Sequence, residues 1–146
     1  MSSVERIVCY SAKGRPGQRL KQVRLIEDRG MQGDYHATGG DRQITLISQK
    51  AKDWMESQEI RGLCFYKYHE NIVTDDFILD DLSQQARFKI GEAVLELSPI
   101  RKKCFPQFCE LDQNKVECLL VQEVRFAKVI TGGNIAVGME IAICGD

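Results

Sequence analysis

The stretch Ala86-Arg87-Phe88-Lys89-Ile90-Gly91-Glu92-Ala93-Val94-Leu95-Glu96-Leu97 decides how this chain is read. Two short extended runs flank a glycine-containing pair, the pattern of a β-hairpin. Pro99 confines the residues after it to a strand end or an edge. Further on, Arg125 to Ile130 and Ile135 to Ile143 read as closing strands around Gly132-Gly133-Asn134, and a short helix is expected near Leu119 to Glu123. Working back from the hairpin, Glu70-Asn71-Ile72-Val73 and Leu63-Cys64-Phe65 are extended. Ser48 is a helix N-cap for Gln49 to about Ser57, where Ala51, Trp54 and Met55 fall at helical spacing. Gln43 to Ile47 is a short alternating strand, and Gly30 to Asp41, with four glycines, is a loop. Val23, Leu25 and Ile26 suggest another strand. Val4 to Tyr10 is the first, stopped by the turn-rich Ser11 to Gly17. About eight to ten short strands and two short helices predict a mostly β fold, a closed or nearly closed β-barrel rather than a parallel α/β sheet.

The chain has 146 residues, without repeats, low-complexity stretches or a Pro/Gly-rich linker, and reads as a single domain over 1–146. A hydrophobic fraction of 43% and a charged fraction of 28% are ordinary for a globular protein. Twenty Lys+Arg against 21 Asp+Glu give no net field to draw in nucleic acid or a membrane surface, so neither is an expected partner. Met1 to Tyr10 lacks the apolar run of a signal peptide, and the expected location is cytoplasmic. In that reducing compartment the six cysteines should be thiols. Cys9 and Cys144 lie in apolar strand-like stretches and are expected to be small buried hydrophobes.

Three segments carry chemistry. Gly33-Asp34-Tyr35-His36 and Gly39-Gly40-Asp41-Arg42-Gln43 bring a carboxylate, an imidazole and a guanidinium into ten residues, with Arg42 suited to gripping a phosphate or carboxylate. The competing reading is a surface loop whose charges pin its own turns. Tyr68-His69-Glu70-Asn71 offers Asn71 at a strand start, with Glu70 able to orient it or pair with a base. On a strand His69 and Glu70 would face opposite sides and would not share a site. In Arg101-Lys102-Lys103-Cys104-Phe105-Pro106-Gln107-Phe108-Cys109, the densest basic run of the chain precedes Cys104. Adjacent cations lower a thiol's pKa and make the thiolate, which is both nucleophile and metal ligand. Cys109 is a resolving thiol or a second ligand, and with Cys118 the pair could instead hold a structural zinc. Phosphate-loop, dinucleotide and serine-elbow motifs do not occur.

Taken in order, these segments resemble a small stand-alone MOSC domain, the module named from the C-terminus of molybdenum-cofactor sulfurase. The resemblance rests on Gly33-Asp34-Tyr35-His36, Asp41 to Leu46, Gly62 to Phe65, Glu70-Asn71-Ile72, Ile90 to Ala93, Arg101 to Cys104 and the closing Val129 to Gly138. The chain departs from the family pattern in having Gly138-Met139 where Gly-Asp is usual, and Cys109 is typical only of the smaller members. The resemblance implies a β-barrel-like fold with a few short helices and the handling of the molybdenum cofactor, a phosphate-bearing pterin dithiolene. Cys104 matches the cysteine that carries sulfur as a persulfide or ligates molybdenum. Asp34, His36, Arg42 and Asn71 would line the cleft, with Arg42, Arg101 or Lys102 meeting the anionic cofactor. Pyridoxal phosphate enters by family association alone, through a partner that generates the sulfur.

The leading expectation is a molybdenum-cofactor-binding or sulfur-carrier domain with Cys104 and Cys109 as its working thiols. A cysteine desulfurase or other donor would load it, and a molybdenum-cofactor enzyme or biosynthesis protein would receive the sulfur. One alternative is a reductase of N-hydroxylated compounds at a thiolate-ligated molybdenum. Another is an assembly module whose cysteines hold zinc.

Overall fold

In the computed structural model, which describes residues 2–40, 42–57, 69–75, 86–101 and 124–144, the expected hairpin is formed. Strands β7 (Arg87–Ile90) and β8 (Ala93–Arg101) pair antiparallel, with Ile90 opposite Ala93 and Gly91-Glu92 as the two-residue turn. Phe88, Ile90, Ala93, Leu95 and Leu97 are fully buried, while Arg87 and Lys89 face solvent. This is the period-two alternation of a strand with one wet face.

The hairpin is one wall of a closed barrel. Besides β7 and β8 it contains β1 (Ser2–Cys9), β5 (Ile44–Ser48), β6 (Ile72–Thr74), β9 (Arg125–Thr131) and β11 (Glu140–Ile143). The order is β11-β7-β8-β9-β5-β6-β1, and Ser2↔Ile141 and Ser3↔Glu140 join β1 back to β11. Strand β2 (Gln18–Leu20) hangs on the far half of the same β1 edge. Closure removes the free edges that an open sheet of this length would present. A second, three-stranded sheet orders β10 (Gly133–Ala136), β3 (Gln22–Ile26) and β4 (Gly30–Met31), and inserts Leu25, Met31 and Ile135 into the common core. Each fully buried Leu, Ile or Phe contributes roughly 1.5–3 kcal/mol.

All pairs in the barrel are antiparallel except β5 with β6. A parallel pair needs a crossover, and helix α1 (Gln49–Ser57) lies within it. Ser48 Oγ accepts from the Ala51 N–H at 3.2 Å, the expected N-cap. The helix buries Ala51, Lys52 and Met55.

Three expectations are corrected. Gly30 and Met31, placed in the loop, form β4 opposite Ile26 and Leu25. Ile135 to Ile143 is not one strand: the chain leaves the small sheet after Ala136 and enters the barrel at Glu140. Gly138 makes the break at φ 92°, a conformation that L side chains rarely adopt. Cys144 is only partly buried, at the end of β11, where the preceding Ile143 is 57% exposed. Cys9 is buried as expected. The segment near Cys64 and the helix near Leu119 to Glu123 lie outside the described residues, as do Cys104, Cys109, Cys118 and Lys102.

Candidate functional site

One end of β1 is where the candidate residues meet. The chain leaves β1 at Tyr10, enters β6 through His69-Glu70-Asn71, and passes the same place in the loop after β4. Gly33, at φ 86°, turns that loop so that Asp34 points inward; an added Cβ would meet Cys9 Sγ at 3.6 Å.

Asp34 is 7% exposed and accepts four hydrogen bonds. Oδ2 takes the Tyr10 N–H at 3.0 Å and Asn71 Nδ2 at 2.9 Å. Oδ1 takes the His36 N–H at 2.8 Å, closing an Asx turn, and His36 Nδ1 at 2.6 Å. Burial alone would raise the Asp34 pKa. The hydrogen bonds from His36 and from the backbone of Tyr10 and His36 outweigh it, so the carboxyl is held below its ordinary value. An ionised carboxylate only accepts, so His36 Nδ1 carries a proton. In the neutral ring Nε2 is therefore a lone pair, and the His36 side chain is 31% exposed.

Asn71 is 1% exposed and ties three segments together. Oδ1 accepts from Thr45 N at 3.0 Å, and Nδ2 donates to Val8 O at 3.2 Å as well as to Asp34. Its backbone N–H donates to Thr45 O and its carbonyl accepts from Val8 N. The structure thus places Asn71 behind Asp34, as the group that sets its orientation.

Around this dyad is an aromatic cluster. His69 stacks on Tyr10 at 4.3 Å between ring centroids, and its Nδ1 meets Tyr35 Oη at 3.2 Å. Tyr35 lies 3.9 Å from His36, and the two histidine rings are 5.7 Å apart. Burial and the nearby His36 lower the His69 pKa, although Glu70 and Asp34 oppose them. Beneath the rings Tyr10 Oη donates to Glu70 Oε2 at 3.3 Å, and Lys52 Nζ from α1 reaches Glu70 Oε1 at 2.9 Å. Burial, then the Glu70 charge and hydrogen bond, push the Tyr10 hydroxyl well above its usual range, so it remains protonated.

Of the expected site residues, Asp34, His36 and Asn71 are brought together across 37 positions of sequence. Arg42 is exposed, with its guanidinium 5.0 Å above the Phe126 ring. No hydrogen bond or ion pair among the described residues ties it to the dyad. Arg101 closes β8 opposite Arg125. Glu70 does pair with a base, Lys52, as the sequence suggested. The separation of His69 from Glu70 is overturned: both touch Tyr10, because residues 69–70 precede β6 and the two-residue strand period does not govern them. Sequence reasoning missed Tyr10, Tyr35 and Lys52. The signal available for Tyr10 was its place between the strand and the turn-rich Ser11 to Gly17.

The groups left to meet a bound ligand are the part-exposed His36, with Nδ1 fixed on Asp34, and the part-exposed His69 and Tyr35; Tyr10 is buried beneath His69. Among the described residues no helix is long and apolar enough to cross a membrane.

Comparison with known proteins agrees with this architecture. YuaD from Bacillus subtilis superposes with a TM-score of 0.73 at 17% identity, over 98% of this chain and 96% of that one. YiiM from Geobacillus stearothermophilus gives 0.70 at 15% identity, over 99% and 76%. YiiM from Escherichia coli gives 0.62 at 18% identity, over 99% and 70%. No curated protein matches the sequence. The MOSC domain family profile matches residues 33–142, from the glycine before Asp34 to the penultimate residue of β11. The chain belongs to the MOSC domain family, a family related to the molybdenum cofactor.

Proposed function

We propose that this domain binds a molybdenum-cofactor-type ligand against the Asp34–His36 face and carries sulfur as a persulfide on Cys104. The observation that supports it most is the family match, which runs unbroken from Gly33 through the Asp34–His36 dyad to the closing strand. Strand register adds to it. Arg101, Arg125, Leu46 and Ile72 are successive partners across β8, β9, β5 and β6, and Ile72 comes directly after Asn71. Three inter-strand steps of ~4.8 Å put the backbone of Arg101 ~14 Å from the edge of the site. Cys104 lies three residues beyond Arg101, a contour of ~10 Å.

In loading, the Cys104 thiolate attacks the terminal sulfur of a donor persulfide; the new S–S bond forms as the donor thiolate leaves, without net redox change. Arg101, Lys102 and Lys103 favour the ionised sulfur throughout. The donor is a cysteine desulfurase or similar persulfide enzyme, and pyridoxal phosphate belongs to that partner. The bound cofactor would supply the metal-dithiolene centre that accepts the sulfur. His36 would present Nε2 to the ligand, Tyr35 would flank it, and Arg42 or Lys102 would meet its phosphate.

Intact-mass spectrometry of the protein purified without reductant tests this reading. A gain of about 32 Da that is lost in Cys104→Ser, with the fold intact, is expected. A Cys104→Ser protein that retains both the adduct and molybdenum would overturn it.

A further inference from the structure

The chain contains only two histidines, and the fold brings them together from positions 33 residues apart. Each has its Nδ1 engaged: His36 with the Asp34 carboxylate at 2.6 Å, His69 with Tyr35 Oη at 3.2 Å. Metal-binding histidines characteristically have the second ring nitrogen held this way, which fixes the tautomer and leaves the other nitrogen as ligand. In the neutral ring the Asp34 contact makes His36 Nε2 a lone pair. When the tyrosine hydroxyl accepts from His69 Nδ1, His69 Nε2 is a lone pair as well.

The spacing is also suitable. Nε2 lies ~1.1 Å from the ring centroid and a Zn–N bond is ~2.0–2.1 Å, so each centroid would sit ~3.2 Å from a shared ion. A tetrahedral angle then separates the centroids by ~5.2 Å, against the 5.7 Å observed. The rings are inclined at 69°; His69 stacks on Tyr10, and the tilted contact of Tyr35 restrains His36.

We propose that His36 and His69 form a two-histidine site for a borderline divalent transition metal, zinc being the reference ion, bound through both Nε2 atoms. Asp34 and Tyr35 are its positioning partners. Among the described residues no group of three or more His, Cys, Asp or Glu is arranged to hold a metal. Glu70 is engaged by Lys52 and Tyr10, so the remaining positions fall to water or a small ligand. This makes the site open rather than structural. The proposal does not depend on sulfur carriage on Cys104, but it uses the same His36 Nε2 that would face the cofactor-type ligand, so metal and that ligand would compete there.

The test uses the tag-free, full-length protein, stripped of metal and titrated with zinc while both histidines are followed by ¹⁵N NMR. The expected result is one equivalent bound, with the Nε2 resonances of both rings moving together. In equilibrium dialysis, His36→Ala and His69→Ala should each weaken zinc binding at least tenfold, and Asp34→Asn by about 10–100-fold. Cys104→Ser and Glu96→Ala should leave it unchanged. Zinc binding that moves neither Nε2, moves only one, or disappears in Cys104→Ser would overturn the proposal. The wild-type NMR readout decides the matter even if a variant fails to fold.

Discussion

Two ion pairs of nearly equal length occupy opposite situations in this barrel. Lys52–Glu70 spans 2.9 Å with side chains 10% and 9% exposed; Arg87–Glu96 spans 3.0 Å with side chains 53% and 21% exposed. The first joins the crossover helix to the site and supports Tyr10, whereas the second decorates the wet face of the hairpin. Equal distances therefore carry unequal consequences. A buried charge that loses its partner keeps its desolvation cost, while an exposed one returns to water.

The largest effect expected from this contrast is at Glu70. Glu70→Ala removes the buried carboxylate from Lys52 and the acceptor from Tyr10 Oη, and should cost ~3 kcal/mol or more in denaturant unfolding. A cost below ~1 kcal/mol would show that the pair contributes no more than its exposed counterpart. Next is Asn71→Ala, which strips a fully engaged amide from Thr45 N, Val8 O and Asp34 Oδ2. About 2–3 kcal/mol should be lost, because the groups left behind are buried.

Acid should act on the same region. His69 has a folded pKa below its ordinary 6.5, so the unfolded chain binds its proton first as pH falls. Stability of the metal-free protein should be full above pH ~6.5 and decline below it. The Asp34 carboxyl, held below 3.8, adds stability that is present above that value and is lost as pH falls through the depressed one. Unfolding midpoints across pH 3–8 should fall on acidification, and the upper part of the decline should be absent in His69→Gln. The smallest effect is at the hairpin pair, where Arg87→Ala should change stability by no more than ~0.5 kcal/mol and less still in high salt.

The contrast also explains which features were legible in the sequence. The hairpin, the Ser48 cap and the alternation of β7 and β8 arise from local period and turn chemistry, so the residues alone disclose them. Asp34, His36 and Asn71 were recognisable because a short loop holds two of them and a strand start the third. Lys52 was not, since its position in α1 gives no sign that the helix packs its ammonium onto Glu70. His69 was separated from the site by a strand parity that begins only after it, at β6. Tyr10 and Tyr35 looked like a strand end and a loop residue until the fold placed their rings against the histidines. What sequence could not supply was in each case a crossing of three segments.

The central claim is that Asp34, oriented by Asn71, fixes the proton of His36 on Nδ1 and leaves Nε2 as the working atom. Measuring ¹⁵N ring shifts of His36 in metal-free protein at neutral pH tests this directly. The wild type should show the Nδ1–H tautomer and Asp34→Asn tautomer averaging; an Nε2–H tautomer in the wild type would mean that Asp34 does not fix the proton.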